Sequence, residues 1–366
     1  MPDTAGHWTR GPVLALFLLF SACHGARDAP RTARRITVDT VPVTEVRGTA
    51  EDGSVQLGLA ANATRLADGT LAIGDSADFV IRIFSRSGQP VRTFGRHGSG
   101  PGEFGAITML AQCEPGRLYL FDNDNARLTV FDIAGRSLRS TPVRPGAAMM
   151  TCSSNDLFLA LGATLSNFFP TQASAGRMYQ FPLDLVHGTD TTRLYDSLPG
   201  YDPRPGGRML ALAVAGNRAY LGLMDSAWVT AFDTTGQKLT SFRISDDPLA
   251  STQAYYEHAV RAFFARYPEA TGFSQFIPRL LALPRPPVMR AWHALFGAPD
   301  GTLWVQLSSP EDSTLHLHAF DTSGQRLGDL SLPFHLRILE IGTNYLVGVR
   351  ENTQGEQRVV VYRIVR

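Results

Sequence analysis

Lysine is nearly missing from this chain. Lys238 is the only one, and arginine supplies the rest of the 34 basic side chains. A lysine nucleophile therefore has a single candidate. Charge is also sparse: 18% of the 366 residues are charged and the net charge is +1. Such a balance gives no broad field for nucleic acid or an anionic membrane. There are three cysteines, Cys23, Cys113 and Cys152. The apolar run Pro12–Phe20 is too short to span a bilayer as a mature anchor. No Gly-x-Ser-x-Gly elbow, His-Glu-x-x-His helix or Gly-Lys-Ser/Thr phosphate loop occurs. These absences leave open a site gathered from distant segments.

What is present is a repeat. A turn followed by three alternating residues recurs at Gly69-Thr-Leu-Ala-Ile73, Gly116–Leu120, Asn155–Leu159, Gly216–Leu221, Gly301-Thr-Leu-Trp-Val305 and Gly342–Val347. A second signal is an aromatic strand end followed by a turn closed with glycine. It occurs at Phe84–Gly88, Phe131–Gly135, Phe232–Gly236 and Phe320–Gly324, is degraded at Leu183–Gly188, and is cut short at Tyr362. These second signals start at 84, 131, 183, 232, 320 and 362, intervals of 47, 52, 49, 88 and 42 residues. All but one lie near the period of about 40–50 residues of a four-stranded propeller blade. No single unit could bury its own face, whereas a ring of them can. The expected fold is all-β: a six-bladed β-propeller over 36–366, with one helical insertion, 245–289, between blades 4 and 5. The last unit has no outer strand of its own, so the strand-like run Ile36–Val46 is expected to supply it and latch the ring.

The stretch Phe94-Gly-Arg-His-Gly-Ser-Gly-Pro-Gly-Glu-Phe104, with the Gly/Asp turns, resembles NHL-type six-bladed β-propellers. The resemblance implies a scaffold, since the fold hosts both binding modules and enzymes.

The N-terminus reads as an export signal over 1–22: Arg10, the apolar run, then the small Ser21-Ala22. Phe20-Ser-Ala-Cys23 resembles a bacterial lipobox, with phenylalanine where leucine is usual. The resemblance implies that Cys23 is lipidated and that 23–35 is a polar tether. The alternative is plain cleavage that removes Cys23. The expected location is periplasmic, or outer-membrane-anchored through that lipid. Cys113 and Cys152 sit at equivalent places in consecutive units. An oxidising compartment permits a disulfide between them. The alternative is two small buried residues held too far apart to bridge.

Two regions depart from the repeat. A loop, 164–177, is expected between the second and third strands of unit three. The insertion carries a helical stripe of Tyr255, Tyr256, Ala259, Val260, Phe263, Phe264 and Tyr267, stopped by Pro268. It serves either as a lid or as a cap on a hydrophobic edge of the ring. Pro199–Gly207 reads as an irregular surface loop.

Chemistry-bearing candidates each have a plainer explanation. His316 and His318 share a strand face and could ligate a metal, but equivalent positions elsewhere hold Arg82 and Thr230. Asp75–Asp78 and Asp122–Asn125 could bind calcium, yet Asp and Asn also dominate tight turns. The glycine loop Gly95–Gly102 lacks the following helix a phosphate site needs; its glycines more simply allow positive φ, with Phe104 wedged between blades and Glu103 bonded to the loop backbone. No catalytic, metal or cofactor residue set is assigned, and no cofactor is expected. The expected function is a non-enzymatic binding or interaction scaffold outside the cytoplasm. Its partner would be a protein, small molecule or glycan, with no nucleic acid, membrane contact only through a lipid, and a monomeric state. The alternative is a metal-dependent hydrolase, lactonase or lyase with its site at the channel mouth.

Overall fold

The alternating segments pair into antiparallel meanders. The computed structural model describes residues 34–49, 57–143, 147–153, 156–161, 179–187, 190–202, 204–265, 276–308, 314–332 and 336–366. The segment 1–22 read as an export signal, Cys23 and the loop 164–177 lie outside the described residues, as do Tyr267 and Pro268. Everything below concerns the compact unit Ala33–Arg366.

Two short strands come first, β1 (Arg34–Val38) and β2 (Thr44–Arg47). Four separate four-stranded sheets follow. They are β3 (Ala60–Arg65), β4 (Leu71–Asp75), β5 (Val80–Phe84) and β6 (Pro90–Phe94); then β7 (Met109–Glu114), β8 (Arg117–Asp122), β9 (Arg127–Asp132) and β10 (Ser137–Pro142). Next come β11 (Ala147–Ser153), β12 (Asp156–Leu161), β13 (Tyr179–His187) and β14 (Asp190–Tyr201); then β15 (Leu210–Ala215), β16 (Arg218–Leu223), β17 (Trp228–Phe232) and β18 (Lys238–Arg243). Helices α1 (Gln253–Ala265) and α2 (Ile277–Leu281) precede β19 (Trp292–Gly297), β20 (Leu303–Leu307), β21 (Leu315–Phe320) and β22 (Arg326–Leu332). The chain ends with β23 (Arg337–Ile341), β24 (Tyr345–Glu351) and β25 (Gln357–Val365).

The first strand of each meander touches the first strand of the next, in the cycle β3, β7, β11, β15, β19, β23 and back to β3. A hydrophobic cluster fills each joint of that cycle. The fold is thus all-β and propeller-type. Second strands lie between neighbours on both faces, so β4 is buried throughout, whereas the outer β6 is exposed along most of its length. This accounts for the continuous apolar second strands in the sequence.

The closing segment is two strands rather than one. β2 lies antiparallel to β25, with Thr44 opposite Val361 and Arg47 opposite Arg358, and is the fourth strand of the last meander. β1 instead bridges two meanders. Arg34–Ile36 run parallel to Gly328–Leu330 of β22, then Thr37 and Val38 pair with Val365 and Ile364 of β25. The result is one nine-stranded sheet.

The glycine of the second repeat signal has a packing reason. Gly135 has φ +87°, and a Cβ there would stand 2.6 Å from the Phe94 ring at the end of the preceding meander. Gly324 has φ +87° and would meet Phe242 at 2.4 Å. These two turns therefore seat an aromatic residue from the preceding unit's outer strand, whereas Gly236 packs on Leu194 and Gly88 on the Glu45 carbonyl, so each of the four glycines sits where a neighbouring segment leaves no room for a Cβ.

The insertion builds its own small core. Thr252 Oγ1 accepts the Tyr255 N–H at 3.1 Å at the start of α1. Tyr256 and Val260 pack against Leu280 and Leu283, and the Tyr256 hydroxyl donates to the Leu280 carbonyl at 2.7 Å. The described part of the stripe thus splits: Tyr256 and Val260 face α2, whereas Tyr255 and Ala259 lie against Gly206 and the Tyr255 hydroxyl accepts the Arg290 N–H at 3.2 Å. The link to the ring is polar and buried. Arg204 pairs with Asp202 and donates to the Pro284 and Arg285 carbonyls at 2.8 and 3.0 Å. Pro199–Gly207 is also less irregular than expected: Pro199 pairs with Gln180 inside the β13–β14 ladder, and Asp202 and Arg204 are buried.

Candidate binding channel

The six inner strands enclose a cavity of about 460 Å³ along the axis of the cycle. Every inner strand contributes to its wall. That size lies within the range of small-ligand pockets. The wall has two characters. Strands β23, β3, β7 and β11 supply Glu340, Thr64, Asn62, Gln112 and Thr151. Strands β15 and β19 supply only apolar side chains and glycine, with Leu212, Val214, Leu295 and Phe296 prominent.

Register places one tier of this wall. Thr64 lies opposite Ala72, Thr151 opposite Phe158, Phe296 opposite Trp304 and Glu340 opposite Val347. In each case the partner is the middle residue of the equivalent second-strand triplet, Leu71-Ala72-Ile73, Leu157-Phe158-Leu159, Leu303-Trp304-Val305 and Leu346-Val347-Gly348, so the four residues stand at one level of the repeat. Glu340 is the only ionisable side chain in the wall among the described residues. Its Oε2 accepts the Arg65 N–H at 3.0 Å and its Oε1 accepts the Tyr345 hydroxyl. Burial pushes the carboxyl above its ordinary range, against the pull of the Thr64 and Tyr345 hydroxyls and of Arg65. The same burial, with the Glu340 charge beside it, pushes the Tyr345 hydroxyl far up. The Arg65 guanidinium sits over the Tyr345 ring, 4.8 Å from its centroid. A related pair stands in the second meander, where the Tyr119 hydroxyl donates to Glu114 and is pushed up to about 12 by burial and that bond.

Cys113 and Cys152 are joined by a disulfide in the same wall, their Cα atoms 5.7 Å apart. The anticipated obstacle was separation between neighbouring units. It does not arise, because β7 and β11 run side by side at the axis, where the units are closest.

The other sequence candidates lie away from the channel. His316 Nδ1 is 2.9 Å from Ser331 Oγ, and His318 Nε2 is 2.7 Å from Arg326. Burial and the Arg326 charge hold His318 below its ordinary range. Asp75 receives the Gly58 and Leu59 N–H groups, each at 2.9 Å, and Arg82 at 2.9 Å. Burial opposes its ionisation, but those donors hold the carboxyl below its ordinary range. Asp122 receives Gly105 and Ala106 N–H in the same way, each at 2.9 Å. Both aspartates therefore clamp the chain as it enters an inner strand. In the glycine loop, Glu103 accepts the Gly100 N–H at 2.7 Å, and Arg127 donates to the Ser99 and Gly100 carbonyls at 2.8 and 3.1 Å. Phe104 is buried in the joint between the first two meanders, edge-on to Phe131 at 5.8 Å. Among the described residues, no three His, Cys, Asp or Glu side chains converge as a metal site would need. Sequence reasoning missed Glu340. Its signal was an acid inside the otherwise apolar Ile338-Leu-Glu-Ile341.

No protein-family model and no curated protein matches the chain. Solved structures do. A member of the DUF4221 family from Bacteroides vulgatus is 11% identical, with a TM-score of 0.56 over 90% of this chain and 99% of that one. A candidate exported protein from Bacteroides fragilis is 11% identical, with a TM-score of 0.54 over 90% and 96%. Virginiamycin B lyase from Staphylococcus aureus is 12% identical over 87% and 86%, with a TM-score of 0.44. The first two establish likeness of fold, and the NHL resemblance rests on the Phe94–Phe104 stretch and its turns.

Proposed function

We propose that this chain is a non-enzymatic binding module that works outside the cytoplasm and takes a small ligand, or one group of a larger partner, into the axial channel. The observation that carries this reading is the cavity of about 460 Å³, walled by all six inner strands and holding one ionisable group. Export is supported by the signal-like 1–22 and by the Cys113–Cys152 disulfide, a bond that persists in oxidising compartments. The lipid anchor on Cys23 belongs to the same proposal. Cys23→Ser is expected to move the protein from membrane to soluble fractions; unchanged fractionation would remove the anchor.

Ligand binding is tested by filling the channel. Ala111 lines it. In a thermal-shift screen of amines, sugars, acids and peptides, at least one compound is expected to raise the melting temperature of the native chain. The same compound should leave folded Ala111→Trp unmoved. If no compound separates the two proteins, the channel is not a binding site. The metal-dependent hydrolase or lyase alternative requires stoichiometric zinc or calcium in purified protein, and finding either would favour it.

A further inference from the structure

The channel wall describes its ligand more closely than the fold does. A carboxyl inside an apolar strand is costly unless a partner offsets the lost hydration. Glu340 has hydrogen-bond donors but no cation in the wall: the other lining side chains are all uncharged. The nearby cation, Arg65, has its guanidinium over the Tyr345 ring. A carboxylate has about four acceptor sites. The Arg65 N–H, the Tyr345 hydroxyl and the Thr64 hydroxyl take up three of them. The remaining site belongs to a carboxyl that forms part of the cavity wall.

The adjoining strand completes the pattern. Phe296 stands on β19 at the height of Glu340, and β19 touches β23. Phe296 is half-buried and lines the cavity. Phe296 also packs against the cluster of Trp304, Ile338 and Ile341, while Glu340 bonds toward β3, so what the two share is the cavity they both line. A carboxylate and an aromatic ring lining one cavity can hold an ammonium group, by charge on one side and by the ring quadrupole on the other. Beyond Phe296, the β15–β19 side offers Leu212, Val214 and Leu295, which suit an apolar body and provide no hydrogen bond for a polar one.

Resting on the channel-binding reading above, we propose that the ligand is a small amphipathic cation, its ammonium group between Glu340 and Phe296 and its apolar body against β15 and β19. Binding is then coupled to a proton. The charged and titratable groups acting on Glu340 are Arg65 from β3 and Tyr345 from β24, and burial holds the carboxyl toward its neutral form. An arriving ammonium favours the carboxylate, so at any pH where Glu340 is protonated in the free protein a proton leaves it for solvent as the cation binds. Affinity rises with pH until Glu340 is already ionised in the free protein.

The test uses three probes sharing one apolar body, 3-phenylpropylammonium, 3-phenylpropanol and 3-phenylpropionate, titrated calorimetrically into the whole chain. The ammonium is expected to bind about tenfold or more tighter than the alcohol, with the carboxylate weakest. Glu340→Gln should cost the ammonium about tenfold and leave the alcohol within about twofold. Phe296→Leu should cost the ammonium a smaller factor, about threefold. If Glu340→Gln does not fold, the native chain still decides: in titrations repeated across the acidic to neutral range, the heat of ammonium binding must vary with the ionisation heat of the buffer where Glu340 is protonated, as proton release requires. Equal binding of ammonium and alcohol, or buffer-independent heats, would overturn the cation proposal while sparing the channel. Binding by none of the three, together with a screen that finds no channel ligand, would overturn both.

Discussion

Two joints of the cycle are secured by different means. Between the second and third meanders, a disulfide crosses from β7 to β11. Between the last and first, no covalent link exists among the described residues. Instead β2 completes the last sheet, the Ala60 N–H donates to buried Gln357 Oε1 at 3.0 Å, and Val46, Leu57, Val347 and Val359 share one core. The first joint connects segments 39 residues apart, the second segments about three hundred apart. The contrast teaches that the disulfide sits where the chain is already continuous. The joint that must be found across the whole sequence is held by pairing and burial alone.

Breaking the closure should have the larger effect. Deleting 34–47 leaves β25 and β22 with unpaired edges and opens the core at Val46. We expect loss of the cooperative melting transition and concentration-dependent aggregation; a sharp transition near that of the full chain would show that the closure is dispensable. Removing the disulfide with Cys113→Ser/Cys152→Ser should lower stability by about 4 kcal/mol, the loop-closure estimate for this separation, with the fold and its circular dichroism retained. An unchanged denaturation midpoint would mean that the bond adds nothing to the continuous chain.

Single clamps come next. Gln357→Leu leaves the buried Ala60 N–H without its acceptor and should cost about 2 kcal/mol. Asp75→Asn should cost a similar amount, about 2 kcal/mol, and should change the acid response. The folded carboxyl lies below its ordinary range, so its contribution is complete above about pH 4 and fades as the pH falls below it. The variant's stability should therefore decline less steeply in acid than the native chain's; parallel curves would rule out that linkage. Smallest is the exposed Arg363–Asp39 pair at 2.8 Å, which links β25 to the segment after β1. Asp39→Asn should cost less than about 1 kcal/mol, and the cost should shrink in high salt.

The scaffold was legible because the repeat combines two physical requirements. Gly88, Gly135, Gly236 and Gly324 all have positive φ, and each lies against a neighbouring segment too close for a Cβ, so the signal recurs where units meet. The insertion was visible as an 88-residue interval and an amphipathic stripe. Its core was not, because nothing local tells Tyr256 to face Leu280 rather than the ring. The splitting of 36–46 into β1 and β2 was hidden for a related reason: the partner strands β22 and β25 lie at the other end of the chain. The channel was least legible. Glu340, Thr64, Thr151 and Phe296 share one cavity wall only through the register of four separate ladders. The two histidines, adjacent and conspicuous in sequence, contact Ser331 and Arg326 instead.

The pairing of Thr37 and Val38 with Val365 and Ile364 also sets a clock. β1 waits for partners about three hundred residues further on, so a growing polypeptide has nothing to pair with this strand until β22 and β25 have been made. Such long sequence separations slow assembly. Until those partners exist, the strand's hydrogen-bonding edge stays open to whatever else the nascent chain meets.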